Sequence, residues 1–210
     1  MFLPTMKYKG VKLAGIVNLN LEKGVGKSNY HSYYDLKLKH NLNIKYINNI
    51  NDPTTVKWLK KIKPSLILQS GWSQKFSKKI LNIPKHGCIG QHPAPLPVGR
   101  GAACVNWAIL LGYKKWGDSF FLMDEKYDNG DVVAQSFFLI DDDDTVKTVY
   151  DKVCYTTKKI CEKEIANWSK GIFKRKKQNL TKSIYFKKRA PSDGEIDLLN
   201  DSNIFAYNKI

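Results

Sequence analysis

The sequence predicts an α/β domain with a mostly parallel central sheet and helices on both faces. Short continuous apolar runs, typical of strands covered on both sides, alternate with longer segments whose apolar residues recur at helical spacing. The composition supports a buried core, because 42% of the 210 residues are hydrophobic and 12% are aromatic. We therefore expect one large domain for most of the chain.

The first part of the chain predicts a strand, a loop and two helices. Residues 11–19 form an apolar run of strand length, and the stretch 21–31, which contains two glycines, predicts a loop. Residues 31–40 suit a short helix. A longer helix is predicted over 52–63, because a proline stands at its first turn and its apolar residues have helical spacing. Pro64 ends this helix.

Two further strands with a helix between them predict parallel pairing. SLILQS at 65–70 and GCIGQH at 87–92 are short apolar runs, and the segment 71–84 has helical spacing. Such alternation implies right-handed crossovers and a parallel sheet, in which sites lie beyond the carboxyl ends of the strands. The residues predicted to meet at these ends are Gln69, Ser70, Gly71, Gln91 and His92.

The second half of the chain predicts a hairpin and a long helix. The Pro- and Gly-rich segment 93–101 is expected to be irregular, and a helix is predicted over 102–112. Strand-like runs at 118–124 and 132–140 indicate a hairpin. The next helix, over 144–171, has acids at its positive end. We interpret the basic connector FKRKKQ that follows as a solvated turn.

The net charge of +16 bears on the choice of partner. Lysine and arginine number 35 against 19 acidic residues, an excess that suits a polyanion such as RNA. Much of the excess is lysine that accompanies abundant asparagine and isoleucine, which is also typical of an AT-rich genome. Charge alone therefore keeps tRNA as a possible partner. The sequence also leaves the oligomeric state undecided.

The apolar runs indicate where the protein is located, and the cysteine spacing indicates whether it binds a metal. No apolar run approaches the roughly 20 residues of a membrane helix, and the N-terminus lacks a signal-peptide pattern. The four cysteines lack the spacing of a zinc site, and we expect them to be reduced core residues. The sequence thus predicts a cytoplasmic protein with no membrane partner and no metal.

His92 is the first candidate for chemistry. It ends a predicted strand and precedes a proline-rich loop, and Asp128 lies in the turn between two later strands. A histidine exchanges protons near neutral pH, and a carboxylate partner fixes its tautomer and raises its pKa. We therefore predict that His92 and Asp128 form a proton-transfer pair.

Two motifs around this pair resemble those of a known enzyme family. IGQHPAPLPVGRGAACVNWAI at 89–109 and MDEKYDNGDVV at 123–133 are similar to the signature of the 10-formyltetrahydrofolate-dependent formyltransferases. YFKKRAPSDGEIDL at 185–198 resembles a third stretch of that family. The resemblance implies a Rossmann-like fold, a formyltransferase activity, and catalytic roles for His92 and Asp128. The loop residues that match are Leu96, Pro97, Arg100 and Gly101.

The resemblance also implies how the donor, 10-formyltetrahydrofolate, binds. Its pterin ring is expected in an apolar slot under the loop 124–131 and beside residues 69–72, held mainly by backbone groups. The residues assigned to this binding, in addition to the matching loop, are Gly71, Trp72, Tyr127, Asn129 and Gly130.

One position departs from the family pattern. Gly90 stands where the family has a catalytic asparagine whose amide stabilises the oxyanion. Loss of such a donor typically costs about 3–4 kcal/mol of transition-state stabilisation. Gln91 is interpreted mainly as a core or loop contact, because it points to the opposite face of the strand. Gln69, Ser70 or an ordered water is expected to supply the missing hydrogen bond.

The acceptor amine and the domain limits follow from the resemblance as well. We expect a catalytic domain over 1–175 without the family's first strand and helix, and 176–210 as the start of a truncated extension. The Gly-x-His-Pro pattern favours a nucleotide-linked amino sugar as the acceptor, with initiator tRNA second and glycinamide ribonucleotide third. A folate-binding module that has lost its chemistry is the alternative of a different class.

Overall fold

The computed structural model describes residues 10–25 and 30–209, so part of the loop predicted at 21–31 lies outside the described residues. The strands are β1 Ile16–Leu19, β2 Ile44–Ile47, β3 Ile67–Gln69, β4 Cys88–His92, β5 Arg100–Gly101, β6 Lys115–Leu122, β7 Val132–Leu139 and β8 Tyr185–Phe186. The α-helices are α1 Leu21–Gly24, α2 Tyr34–His40, α3 Pro53–Ile62, α4 Lys78–Leu81, α5 Cys104–Leu110, α6 Val146–Trp168 and α7 Asn203–Lys209. Two short 3₁₀ turns span Leu180–Lys182 and Pro191–Gly194.

The strands pair in three groups. β1 pairs with β2 in parallel, and the central sheet has the order β3-β4-β6-β7. In that sheet β3 and β4 are parallel, whereas β4–β6 and β6–β7 are antiparallel. β5 and β8 form a separate parallel pair. The α/β class and the hairpin are confirmed, and the hairpin provides the antiparallel half of the central sheet.

Helices cover both faces of the central sheet. On one face, Ile89 and Phe120 pack against the apolar side of α6, which includes Ile160. On the other face, Cys88 joins a cluster with Leu59 of α3 and Ile80 of α4. Successive residues of β4 therefore point to different environments, as the pleat of a strand requires.

Helix α6 begins at Val146 and has a capping box at its start. The Thr145 hydroxyl accepts from the Thr148 amide, and the Thr148 hydroxyl accepts from the Thr145 amide. This reciprocal arrangement satisfies two backbone donors that a helix start otherwise leaves open. The aspartates at 141–144, which the sequence placed at the start of the helix, precede this cap. None of the helices within residues 10–25 and 30–209 has the length and apolar character needed to cross a bilayer.

Besides the unpredicted β5, β8 and α7, the structure differs from the sequence-based prediction at three short elements. Strand β2 was not predicted, because its four residues lie among asparagines that obscure any alternation. A single helical turn, α1, occupies the start of the expected loop. Helix α4 is limited to one turn, although helical spacing extends over 71–84. Each of these elements spans four residues, a length at which periodicity carries little information.

Candidate active site

His92 lies at the carboxyl end of β4, beneath the loop 93–99. It is 8% exposed, and its Nε2 lies 2.7 Å from the carbonyl oxygen of Gly99. Since a carbonyl can only accept, this ring nitrogen carries the hydrogen. Three prolines restrict the backbone of the loop, so the chain that folds back over the ring has little freedom to move away.

Asp128 lies in the β6–β7 loop and faces the other ring nitrogen. Its Oδ1 is 3.8 Å from His92 Nδ1, and its Oδ2 accepts from the Gly101 amide at 3.0 Å. The residue adopts φ +49, a left-handed conformation that aspartate tolerates better than most residues. Its carbonyl accepts from Gln178 Nε2 at 2.9 Å. Contacts from two other segments therefore hold an unfavourable backbone conformation in place.

The protonation of His92 is set by opposing influences. Burial lowers the pKa of the imidazole, whereas Cys104, the Asp128 carboxylate and the Gly99 carbonyl raise it, and the resulting pKa is about 9. The ring is therefore charged at neutral pH; its Nε2 hydrogen is donated to the Gly99 carbonyl, and its Nδ1 hydrogen lies on the side of Asp128, 3.8 Å away. The side chains of His92 and Asp128 are 10% and 15% exposed. The imidazolium is therefore a proton donor that lies close to the protein surface.

The pair of short strands β5 and β8, which we call the β5–β8 clasp, positions the segment that contacts Asp128. Gly101 adopts φ +96, and a Cβ at this residue would lie 2.2 Å from the carbonyl oxygen of Phe186. Only glycine fits this close approach. The same carbonyl accepts from the Ala102 amide at 3.1 Å. The Gly101 amide is thereby directed at Asp128.

Arg100 is buried and joins three segments through Gln178. It is 5% exposed, and its Nε and Nη2 donate to Gln178 Oε1 at 3.2 and 2.8 Å. Gln178 Nε2 in turn donates to the carbonyl of Gly130 at 2.8 Å, besides that of Asp128. The interpretation of 173–178 as a solvated turn therefore fails at Gln178, whose side chain reaches into the site.

The other matching loop residues, Leu96 and Pro97, form the wall beside His92. Leu96 is 4% exposed and packs against Phe121 and Val132. The Leu96–Pro97 peptide bond is cis, and the Pro97 carbonyl accepts from the Ile184 amide at 3.2 Å. Both residues thus contact protein groups that shape the wall of the site.

Gln91 points away from His92, as alternation along the strand predicts. Its Nε2 donates to Asp118 Oδ1 at 2.5 Å, and its Oε1 accepts from Ser70 Oγ at 2.8 Å. Thr157 of α6 donates to the second oxygen of Asp118 at 2.5 Å. Burial raises the pKa of Asp118 to about 6, although the hydrogen bonds from Thr157 and Gln91 act in the opposite direction. We call this chain of four side chains the buried network.

Gly90 and Gln69 are neighbours on β4 and β3. The two residues are register partners, and Gln69 Nε2 donates to the carbonyl of Trp72 at 3.0 Å. Trp72 packs against the cluster around Ile80, and its buried indole Nε1 has no hydrogen-bond partner in the part of the chain that the structure describes. Gly71 is exposed.

The loop 124–131 carries the remaining predicted donor-binding residues. Tyr127 is 54% exposed, and its carbonyl accepts from the Tyr185 hydroxyl at 3.2 Å. Asn129 Nδ2 donates to Asp124 Oδ2 at 2.9 Å, which stabilises the turn. Gly130 is held through Gln178. The loop is therefore anchored at both ends and presents its tip to solvent.

Sequence reasoning missed Asp118, Gln178 and Tyr185 at or beside the site. A glutamine in a lysine-rich stretch and a tyrosine 57 residues after Asp128 have no local pattern that indicates contact with a distant loop. Asp118 had a weak signal, because it opens an apolar run in which a buried carboxylate needs a partner.

No group of three or more potential ligands among His, Cys, Asp and Glu is close enough to hold a metal within the described ranges.

The family is decided by the span of the match as well as by this geometry. The model of the Formyl transferase family matches residues 26–165, which is more than half of the chain and includes both His92 and Asp128. This chain belongs to the formyltransferase family. The resemblance that the motifs suggested is thereby confirmed.

Two longer proteins are similar in sequence to this chain. It is 31% identical over 194 residues to the bifunctional polymyxin resistance protein ArnA of Wigglesworthia glossinidia brevipalpis, covering 92% of this chain and 30% of that protein. It is 32% identical over 163 residues to methionyl-tRNA formyltransferase of Halothermothrix orenii, covering 77% and 52%. The chain thus spans about a third to a half of the length of these relatives.

A solved structure supports the fold. WlaRD, described as a sugar 3N-formyl transferase in the presence of dTDP and 5-N-formyl-tetrahydrofolate, superposes with a TM-score of 0.67 at 20% identity. The match covers 93% of this chain and 67% of that one. At this identity the likeness establishes the Rossmann-like formyltransferase fold alone.

Proposed function

We propose that this formyltransferase moves a formyl group from 10-formyltetrahydrofolate to an amine, and that the amine belongs to a nucleotide-linked amino sugar. The observation that supports the proposal is the approach of His92 to Asp128, 3.8 Å between Nδ1 and Oδ1, at the carboxyl end of a sheet strand. Such strand ends are the usual place for sites in α/β folds.

In the proposed reaction the amine nitrogen bonds to the formyl carbon, and the bond from that carbon to the folate nitrogen breaks. His92 is protonated before the reaction, since its pKa is about 9, and it gives a proton to the leaving folate nitrogen. The proton that the amine loses returns to the ring. Asp128 orients the imidazole and stabilises its charged form.

The donor site is proposed between the loop 124–131 and residues 69–72. Tyr127 and Gly71 are exposed on its two sides, and the indole Nε1 of Trp72 is a buried donor with no partner among the described residues. A pterin ring offers acceptors for such a donor and carries a flat apolar face. Arg100, Gly101, Leu96 and Pro97 shape the wall on the His92 side.

Two acceptors are supported by different observations. The amino-sugar proposal is supported by the Gly-x-His-Pro pattern at 90–93 and by the fold shared with a sugar formyltransferase. A methionyl-tRNA acceptor is the second candidate, favoured by the net charge of +16 and by the identity to methionyl-tRNA formyltransferase. The two differ in salt dependence, because binding through phosphates weakens steeply as salt rises.

We also propose the division into a catalytic domain over 1–175 and the beginning of an extension over 176–210. The extension contributes Gln178 and β8 to the surroundings of Asp128. A cytoplasmic location is part of the proposal, since all four cysteines lie within the described residues and are free.

The experiment is an assay of the purified chain with 10-formyltetrahydrofolate and either a dTDP-linked 3-amino sugar or methionyl-tRNA. We expect release of tetrahydrofolate and a formyl mass increase on the sugar, with a rate that changes little between 50 and 200 mM salt. Formylation of the tRNA alone would overturn the acceptor. Absence of turnover on both would contradict the proposed reaction and support the folate-binding module.

The pH profile tests the proposed role of His92. Because the imidazolium is the proton donor, kcat is expected to fall as pH rises through about 9. Measurement of kcat from pH 6 to 10 with saturating substrates checks this. A kcat that is unchanged from pH 8 to 10 would contradict a donor role for the ring.

A further inference from the structure

The space beside Gly90 on the site face of β4 is already filled. A Cβ at Gly90 would lie 2.8 Å from the Phe121 ring and 3.2 Å from Gln69 Oε1. Any larger side chain at this residue would have to displace one of the two. The region that a side chain of residue 90 would enter is therefore occupied by the Phe121 ring and by the carboxamide of Gln69, with Oε1 nearest to Gly90 and Nε2 directed to the Trp72 carbonyl.

The carboxamide reaches this region because of the register between β3 and β4. Gln69 and Gly90 are parallel register partners, so their side-chain directions share one face of the sheet. His92 lies two residues after Gly90 and points to the same face, roughly 7 Å further along at about 3.3 Å per residue. Gln69 is consequently beside the His92 site, unlike Gln91.

The Gln69 amide retains hydrogen-bonding capacity. Nε2 carries two hydrogens, and the Trp72 carbonyl accepts one of them at 3.0 Å. The same contact fixes the orientation of the amide group. In the described part of the chain the second hydrogen has no assigned acceptor, and the half-buried side chain lies at the strand end where a ligand would sit.

We propose that Gln69 donates this hydrogen to the formyl oxygen as negative charge develops, and so supplies from β3 the carboxamide that Gly90 does not. The inference rests on the proposed formyl transfer. Gln69 is then a catalytic residue that touches the reacting atoms, and the absence of a side chain at residue 90 makes room for it. Gly90 leaves the space, and Gln69 places its carboxamide there.

The test compares Gln69→Leu and Gln69→Glu with the parent chain, using the acceptor that supports turnover. Both variants are expected to lose about 100- to 1,000-fold in kcat, the usual effect of removing one oxyanion donor. The KM values should change less than threefold, because the interaction forms mainly in the transition state. Glutamate has the shape of glutamine but no amide hydrogens, so it removes the proposed donor and the hydrogen bond to the Trp72 carbonyl while it still fills the same space. A role in filling space alone would leave Gln69→Glu active.

Binding of 5-formyltetrahydrofolate, followed by quenching of tryptophan fluorescence, shows whether each variant still folds and holds a folate. Gln74→Leu is the matched control, since Gln74 also donates to a backbone carbonyl, that of Asn48, and lies outside the site. Its kcat is expected within twofold of the parent.

The outcomes separate this inference from the proposed function. If the parent turns over and Gln69→Leu keeps a third or more of kcat, the role of Gln69 is overturned and formyl transfer stands. Equal losses in folate affinity and kcat would make Gln69 a binding residue and overturn the oxyanion role. A parent chain that binds folate without turnover would overturn formyl transfer and also the sufficiency of Gln69.

Discussion

The two faces of β4 both carry a polar side chain next to an aspartate, but the two pairs have different roles. On one face, Gln91 and Asp118 belong to the buried network, where both carboxylate oxygens receive a hydrogen bond. On the other face, His92 and Asp128 are 3.8 Å apart, beyond hydrogen-bond distance, at the edge of the structure. The Asp118 carboxylate is thus satisfied within the protein, whereas His92 Nδ1 and Asp128 Oδ1 are too far apart to satisfy each other and can bind a ligand.

This difference shows how to distinguish structural from functional polar groups in one strand. A buried polar group is tolerated when its hydrogen bonds are satisfied within the protein. Groups at a site keep part of their capacity open and are held in place by backbone contacts instead, as Gly99 and Gly101 hold His92 and Asp128. Changes on the site face should therefore affect catalysis, and changes on the buried face should affect stability.

The largest expected effect comes from removing the site pair. His92→Ala and Asp128→Asn should each lower kcat by at least about 1,000-fold, because proton transfer and its orientation are lost. Thermal unfolding followed by circular dichroism should remain cooperative. Asp142→Asn is a matched control, since the side chain of Asp142 is 92% exposed. If both site variants kept their activity, the claim that the site face of β4 serves catalysis and the buried face serves stability would be contradicted.

The next effect concerns the pH dependence of stability through Asp118. Its pKa is raised from 3.8 to about 6 in the folded state, so the folded protein binds the proton more tightly than the unfolded chain. Stability is highest below the unfolded value and falls as pH rises through about 6, by about 3 kcal/mol at 1.36 kcal/mol per unit. Urea unfolding of the parent and Asp118→Asn from pH 4 to 7 should show this fall only in the parent.

Gly101→Ala tests how the site face is held. A methyl group would meet the Phe186 carbonyl at 2.2 Å, so the β5–β8 clasp must open, at a cost of about 2 kcal/mol or more. Activity should fall with it, because the amide that contacts Asp128 moves. Gly112→Ala is the control, with a similar φ of +70 but its nearest atom at 3.9 Å. Equal losses in the two variants would assign the effect to φ alone.

The smallest effect is expected from Thr157→Val. This change removes one donor to the Asp118 carboxylate at nearly constant volume and should cost about 1 kcal/mol of stability. The kcat measured with saturating substrates should stay within twofold. A larger effect on kcat than on urea stability would indicate that the buried network also serves the reaction.

Prediction from the sequence succeeded where the signal is local. The hairpin of β6 and β7, the long helix α6 and the placement of His92 at a strand end all follow from periodicity and turn residues. The register that places Gln69 beside Gly90 could not be read from either segment, since it depends on how two strands align. Gln178 was missed for the same reason, because its partners lie about 50 to 80 residues earlier.

The β5–β8 clasp has a consequence for synthesis. Residues 10–171 hold the central sheet and α6, whereas Asp128 and Arg100 depend on Gln178, which leaves the ribosome later. Since chains emerge from the N-terminus and fold as they lengthen, the sheet can form before the reaction centre is complete. A nascent chain stalled ahead of Gln178 would thus lack the contacts of Gln178 with Asp128 and Arg100, as well as Phe186 of the core, and the site would be completed only when this last segment docks.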